Sequence, residues 1–594
     1  MGLLAGNFRE AVKINPLGFI FMPALIYTAA NLLLWSPFEW RGRAELLNLI
    51  QGVTIFWLAV QNFRTKNHVW FVMIALVSIV ILGVAIGIMQ FFYRPEWLPK
   101  LFDPFASVLN RVSLPGEYLG RASGFFGAPN AYAGFMMMVG FPMLVAGFSR
   151  RFTGMARAFF VCAGIIAIGA VFLSMSRGAL MLTAVGIFLL PLVVQAKLRT
   201  MVMYWLLLGG LFVSTLGMLY AFNPQFQDRI TQSIDVGGES SRPVMWQAAW
   251  AQFLDAPLIG NGVGGYGVLF EDQRPEGFNR NPIHAHNDYL EMLADQGAVG
   301  FLLFWGAVGW IVFKALCEWM RQPVVVKVSG NSRKHSLRTP THRFILGALG
   351  MGLLMFCAHL LLEFHLKTPA LMMLFFFYLG LICKCLPGDR LTIPRSGGWQ
   401  TGILVLGGGL ALLIPLLALP IYSGYFYAYN GREMVSQFDQ NVSQYKQDEA
   451  FYAEMIELLQ LAVEETPDHA DAWSDLSYAV AAQELLHPGQ GERYGEEAEG
   501  YARQAIEVCP ELPLAWINLG NALAEQAKLG EAGEFYQQAT LVAPNRSDVW
   551  YYYAVYLNYS PDSRSQALMA VERSILLEPE NEEARDLRRK ILVP

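Results

Sequence analysis

Residues 69 to 92 read VWFVMIALVSIVILGVAIGIMQFF, a run without a single charged side chain. About 20 apolar residues at ~1.5 Å each cross the ~30 Å hydrocarbon layer of a bilayer, where a helix satisfies its own backbone. The run therefore predicts a membrane-spanning helix. Ten further stretches have the same character, at approximately 16 to 35, 44 to 62, 129 to 148, 158 to 175, 179 to 195, 201 to 222, 298 to 316, 344 to 363, 368 to 386 and 401 to 423. Of the 594 residues, 54% are hydrophobic and 15% charged. A soluble domain carries about 25% charged residues, so a single soluble domain is excluded.

The formal net charge of -5 hides a division near residue 424. From there to the end stand 12 Lys and Arg against 29 Asp and Glu, a net of -17, while the first 423 residues carry a net of +12. The chain is thus expected to have a basic, apolar membrane part, 1–423, and an acidic, soluble part, 424–594. Intrinsic disorder and nucleic-acid binding fit neither part. The six cysteines form no even-numbered framework, and Cys383 and Cys385 are too close for a zinc or redox pair, so all six are expected to be unpaired. No cleavable leader and no myristoylation signal is expected at the amino terminus.

Short cytoplasmic loops are enriched in Lys and Arg. With the amino terminus inside, the inner segments hold 19 basic residues against Glu10, Glu318 and Asp389, while the outer side holds 12 basic and 16 acidic residues. This predicts a cytoplasmic amino terminus. An odd number of spans then places the acidic part outside, in the periplasm or at the exterior of a bacterium. Two outer loops are long, 93–128 and 223–297. Loops of that length are functional or disordered. In the second, Ser240-Ser241-Arg242-Pro243 predicts a helix start and the apolar pattern runs through Phe253. The glycines 260, 262, 264, 265 and 267 follow; no Lys-Ser/Thr succeeds them, so turn formation is preferred to a phosphate cradle.

The acidic part repeats. Pro467, Pro510, Pro544 and Pro579 are 43, 34 and 35 residues apart, and Trp473, Trp516 and Trp550 each lie six residues after one of the first three. A 34-residue period with Trp516-x-x-Leu519-Gly520 is the tetratricopeptide pattern of two helices per repeat, and at least three repeats are expected. Trp473, Trp516, Trp550, Leu476, Leu519 and Tyr478 are then expected in its core. The predicted fold class is all-α: a polytopic helical membrane protein of about eleven transmembrane helices with a carboxy-terminal α-solenoid.

Several residues carry chemistry. Arg177, in Ser176-Arg177-Gly178, lies between spans on the side the positive-inside rule disfavours; it either snorkels to headgroups or is a paired or functional charge. Arg242 opens a helix whose first amides favour anions, which suits a diphosphate, but on local sequence alone a surface charge is the preferred reading. The segment from His284 through His286, Asn287 and Asp288 to Glu291 enters the eighth span. Either His suits a general base where membrane meets water, or a packing role; extended, the pair would share a face, but no third metal ligand accompanies them. His359 and Glu363, four apart, would share a face of the ninth span as a site or as an interhelical hydrogen bond.

Together these elements resemble the O-antigen ligase and polymerase superfamily. The resemblance rests on Ser176-Arg177-Gly178, Arg242 with Trp246, Pro257-Leu258-Ile259-Gly260-Asn261-Gly262, and His286-Asn287-Asp288-Tyr289-Leu290-Glu291, with Pro129-Asn130 and the segment His359 to Pro369 in support. It spans roughly residues 16 to 423. It implies a metal-independent, cofactor-free glycosyltransferase of the bacterial inner membrane, moving a glycan from undecaprenyl diphosphate to an acceptor hydroxyl at the periplasmic face. By motif, Arg177 and Arg242 would bind the diphosphate and His286 would activate the acceptor, with His284, Asn287, Glu291, His359 and Glu363 as accessory candidates. Lipid A core, another glycan chain or a protein remain open as acceptors, so ligase, polymerase and protein O-glycosylation share one chemistry. The repeats would serve an envelope protein partner. A lipid-linked glycan transporter and a membrane scaffold are the rival classes; no span repeat supports the first, and eleven spans exceed the needs of the second.

Overall fold

The computed structural model describes residues 12–62, 66–91, 120–149, 151–194, 197–235, 241–323, 326–328, 336–338, 340–388, 391–393 and 397–592. The loop 93–128 lies outside these through residue 119.

The core of each of the eleven predicted stretches is helical, while residues 360–363 at the end of the ninth lie beyond their helix. A 3₁₀ turn at Pro16–Phe19 leads into α1 (Met22–Leu34), followed by α2 (Glu39–Asn62), α3 (Lys66–Phe91), α4 (Pro129–Phe148), α5 (Gly154–Leu173) and α6 (Arg177–Val193). The seventh stretch is α7 (Leu198–Tyr204) and α8 (Gly210–Phe222), joined by a π turn at Trp205–Gly209. Next come α9 (Pro224–Asp235), α10 (Arg242–Asp255), α11 (Asp288–Arg321), α12 (Thr341–His359), α13 (Pro369–Cys385) and α14 (Gly397–Gln440). Among the described residues, eight helical segments are long and apolar enough to cross a membrane; α6 and α13 are apolar but shorter, and the eleventh stretch lies inside the 44-residue α14.

The central helix is α4, 17 of whose 20 residues are buried. Its glycines admit neighbours closely: a Cβ on Gly147 would lie 2.5 Å from Val161, and one on Gly164 of α5 2.7 Å from Leu144. Small residues at such crossings let helices associate where no hydrophobic force acts between them. By contrast α7 and α8, with the turn between them, leave Leu206, Val213 and Phe222 exposed, a lipid-facing edge. The fold is all-α as expected, with two three-residue antiparallel ribbons beside the helices: β1 (Val12–Ile14) pairs with β4 (Leu391–Ile393), and β2 (Val326–Val328) with β3 (Ser336–Arg338).

At 423/424 there is no linker. Helix α14 continues unbroken from the last predicted span into the repeats. These are α15 (Glu449–Glu465), α16 (Ala470–Ala481), α17 (Gly491–Val508), α18 (Pro513–Glu525), α19 (Leu529–Val542), α20 (Ser547–Leu557), α21 (Arg564–Leu577) and α22 (Glu582–Leu592). Leu476 and Leu519 are buried as expected. The three tryptophans are only half-buried, because each indole reaches back to its own repeat junction: Trp473 Nε1 donates to Pro467 O (2.7 Å), Trp516 Nε1 to Pro510 O (2.7 Å) and Trp550 Nε1 to Pro544 O (2.8 Å). The spacing of six residues is thus a repeated hydrogen bond.

The repeat domain is docked onto the membrane part. Phe38, Trp40 and Val268 share a buried cluster with Ala470, Ala505, Cys509, Leu512 and Ala515. Around it, Arg41 pairs with Asp471 (3.1 Å), Arg43 with Asp468 (2.8 Å) and Arg573 with Glu276 (2.8 Å), and Asn545 donates to Arg274 O (2.7 Å).

His469 stands at this junction and caps α16, its Nδ1 accepting from Ala472 N (3.2 Å). Burial pushes the imidazole down to about 4, with Arg41 and Arg432 adding to the effect and Asp471 opposing it. The unfolded chain, with an ordinary His near 6.5, therefore binds the extra proton first as pH falls. Its contribution to stability is complete above about pH 6.5 and is lost toward pH 4, a loss of up to about 3 kcal/mol. Thermal unfolding across this range is expected to show a steep acid loss in the wild type and a shallower one in His469→Asn, which keeps the cap without titrating. Superimposable profiles would remove His469 from the account.

Candidate active site

The long loop opens with α10, Ser241 preceding it and Pro243 in its first turn, as its sequence predicts. The glycine cluster then folds back on α11. Asn261 N donates to Ala294 O (3.0 Å), Gly262 N to Asp295 O (3.0 Å), and Gly264 N and Tyr266 N to the Asp295 carboxylate (3.3 and 3.0 Å). Gly260 has φ +74, and a Cβ there would fall 2.3 Å from Asp295 O, so glycine is required by both conformation and approach. These amides are spent on protein acceptors and make a turn, not a phosphate cradle.

The loop closes on His286, whose φ of +50 is left-handed. Such a conformation costs about 1–3 kcal/mol in a non-glycine residue and persists where its surroundings enforce it. Here Trp246 Nε1 donates to His286 O (3.4 Å), and Asn287 caps α11 by accepting from Tyr289 N and Leu290 N (both 3.1 Å). The twist sends the two histidines to different carboxylates. His284 Nδ1 lies 2.8 Å from Glu291 Oε1, and His286 Nδ1 lies 3.2 Å from Glu363 Oε2. The ring of Phe364 stands between them, stacked on His284 and edge-on to His286. The shared face of an extended His-x-His segment is therefore not formed.

Glu363 is the hub. Its buried carboxylate accepts from the Arg242 guanidinium, from Asn130 Nδ2 (2.6 Å) and from His286. A carboxylate can only accept, so the proton of His286 sits on Nδ1 and the lone pair on Nε2. The predicted common face of His359 and Glu363 is corrected: α12 ends at His359, and Glu363 follows in a turn closed by Leu362 N donating to His359 O (2.9 Å). His359 instead meets His365, Nδ1 to Nε2 at 2.8 Å, in a pocket that the missing side chain of Gly134 leaves open. Burial pushes His365 down to about 3, keeping it neutral.

Arg177 begins α6 and is exposed. Its turn adjoins the same segment, since a Cβ on Gly178 would lie 2.8 Å from Leu362 Cδ1. The turn is braced by Ala122 N donating to Leu173 O (2.8 Å) and by the buried Arg121, whose Nε donates to Ser174 O (3.0 Å).

Glu291 belongs to a second cluster. The Lys367 ammonium lies 2.5 Å from Glu45, 3.2 Å from Glu291 and 3.9 Å from Asp295. Burial alone would lower Lys367, but the three carboxylates hold it well above the usual lysine range. These three acids are spaced to hold a metal ion, and the lysine already provides the cation among them. Lys367, Phe364 and Arg121 were not singled out from sequence. For Lys367 the signal existed: like Arg177, it is a basic residue between spans where the loop charge count predicts the disfavoured side.

Residues 162–305 match the O-antigen ligase family. That segment contains Arg177, Arg242, His284, His286 and Glu291, while Glu363 and Lys367 lie beyond it. The chain is also similar to a thermophilic TPR protein of Thermus thermophilus (17% identity, 30% of this chain and 100% of that one, TM-score 0.22). It is similar as well to YrrB, a TPR protein with an unusual peptide-binding site (19% identity, 32% of this chain and 89% of that one, TM-score 0.20). No curated relative matches.

Proposed function

With the O-antigen ligase domain of residues 162–305 as premise, we propose that this multi-pass membrane protein transfers a glycan as a block from undecaprenyl diphosphate to an acceptor hydroxyl, at the periplasmic face of the bacterial inner membrane. The observation that carries the reading is the single buried carboxylate, Glu363, that holds Arg242, Asn130 and His286 together. A base and a guanidinium fixed on one anion are a unit that deprotonates an acceptor on one side and receives a leaving diphosphate on the other.

In the reaction, His286 Nε2 takes the proton of the acceptor hydroxyl as its oxygen attacks the anomeric carbon. The bond from that carbon to the diphosphate oxygen breaks, and the electron pair leaves with the lipid diphosphate. Arg242 and Arg177 neutralise the departing charge. Glu363 keeps His286 in the tautomer with its lone pair on Nε2 and stabilises the imidazolium that forms. Attack opposite the leaving group inverts the anomeric centre. The cations are all side chains, so no metal is required. An O-antigen ligase-like role is preferred, with polymerisation or protein O-glycosylation differing only in the acceptor.

The test is transfer from an undecaprenyl-diphosphate-linked oligosaccharide by the purified full-length protein. Turnover is expected to survive EDTA and to collapse in His286→Ala. It should fall ~10²–10³-fold in Arg242→Ala and in Arg177→Ala, the scale for losing one preorganised charge-stabilising group. Absence of donor consumption by the wild type, or its abolition by EDTA, would overturn the reading.

A further inference from the structure

We propose that the cavity between the membrane part and the first repeats is a subsite for a sugar unit of the acceptor, so that the repeat domain builds part of the active centre. The inference rests on the glycan-transfer reading above and names where the second substrate sits.

The cavity measures about 300 Å³. This is the small end of the ~300–1,000 Å³ range of ligand pockets, suited to a sugar ring and not to a folded segment. Its walls come from elements far apart in sequence: Glu45 on α2, His284 on the long loop, Glu291 on α11, Tyr425 and Tyr429 on α14, and Asp475 on α16.

The charges decide the ligand class. Among the described residues three cations line the cavity, and each is engaged: Arg41 with Asp471 (3.1 Å), Lys367 with Glu45 (2.5 Å), and Arg432 with Asp475 through two hydrogen bonds of 2.7 and 2.8 Å. Four carboxylates face these three cations, so no positive charge is left over for a phosphate. What remains is a set of fixed acceptors and donors beside exposed aromatic surface, Tyr429 being 70% exposed. An uncharged polyhydroxyl ligand fits that lining; a diphosphate does not. One wall group also lacks a partner among the described residues: the Tyr425 hydroxyl is buried with no hydrogen bond from the protein. A buried hydroxyl left unpaired is costly, and a ligand hydroxyl would satisfy it.

Position completes the case. His284 lines the cavity, its ring lies on Phe364, and Phe364 in turn meets the edge of His286. The diphosphate-binding arginines belong to the Glu363 side. Donor and acceptor would thus approach His286 from its two flanks, as proton removal from the acceptor demands.

The experiment uses the full-length protein in detergent and, as probe, the oligosaccharide released from the lipid-linked donor, with a lipid A core oligosaccharide as a second probe. Binding of either is expected for the wild type and for His286→Ala, ~3- to 10-fold weaker for Tyr425→Phe, which removes one hydroxyl. Binding is expected to be lost in Ala428→Phe, which fills the cavity. In the transfer assay both cavity variants should raise the acceptor KM and leave donor binding unchanged. Unaltered probe binding in Ala428→Phe, or no binding of either probe by the wild type, overturns the subsite. Probe binding that obeys these expectations without any donor consumption would instead overturn the transfer reading and leave a sugar-binding cavity.

Discussion

In Glu363→Ala, glycan transfer is expected to fall by ~10³–10⁴-fold, about as far as in His286→Ala, because one carboxylate holds both Arg242 and His286. Without it His286 loses the acceptor that keeps its proton on Nδ1. The guanidinium of Arg242 loses the anion that aims it, and Asn130 loses the oxygen to which it donates. Glu363→Gln should retain more activity, since an amide oxygen can still accept from one of the three groups. Residues that act as a unit are not additive, so the double variant Glu363→Ala/His286→Ala should be scarcely slower than the slower single one. Single-turnover rates with saturating donor read this directly. A Glu363→Ala protein within tenfold of wild type, or a double variant slower by the product of the two losses, would detach Glu363 from the chemistry.

The second large effect concerns stability. Lys367→Met preserves most of the side-chain volume but strips the cation from Glu45, Glu291 and Asp295. Breaking a buried charge cluster on one side costs about 3–5 kcal/mol, because the stranded charges must be protonated or hydrated. Asp295 also anchors the amides of Gly264 and Tyr266, so the glycine turn should loosen with it. Earlier thermal unfolding and faster proteolysis within 256–287 are expected. Adding Glu45→Gln should recover part of the loss by removing one stranded charge. Unchanged unfolding of Lys367→Met would mean that the cluster is hydrated and contributes little.

The helical spans were legible because hydropathy is a local, additive property, and the core of each of the eleven stretches is helical. The start of α10 was legible because Ser241-Arg242-Pro243 acts within one turn. The repeat period was legible as well, but the purpose of its tryptophans was not: six residues of separation signals a fixed relation, and only the fold shows an indole bonded to a proline carbonyl. Glu363 was misread by one structural detail. Helical spacing extrapolated from His359 past the point where α12 stops puts the carboxylate on the wrong face. The left-handed turn at His286 likewise removes the shared face that an extended segment would have given His284 and His286. The interdomain cavity was out of reach, since it joins residues such as Glu45 and Asp475 whose proximity no local pattern encodes.

Because α14 runs without interruption from the apolar stretch into the first repeat, it has the properties of a keyed shaft. Inserting one residue would turn everything beyond it by about 100° and advance it by about 1.5 Å. That rotation would carry Asp471 away from Arg41 and Asp475 out of the cavity wall, although every local fold survived. Seven inserted residues would nearly restore the angle but lift the repeats by about 10 Å. The angular phase and height of this one helix therefore set the gap between the membrane part and the first repeats. Torque applied to the repeats by a bound protein would be felt at that gap before it was felt anywhere else in the bundle.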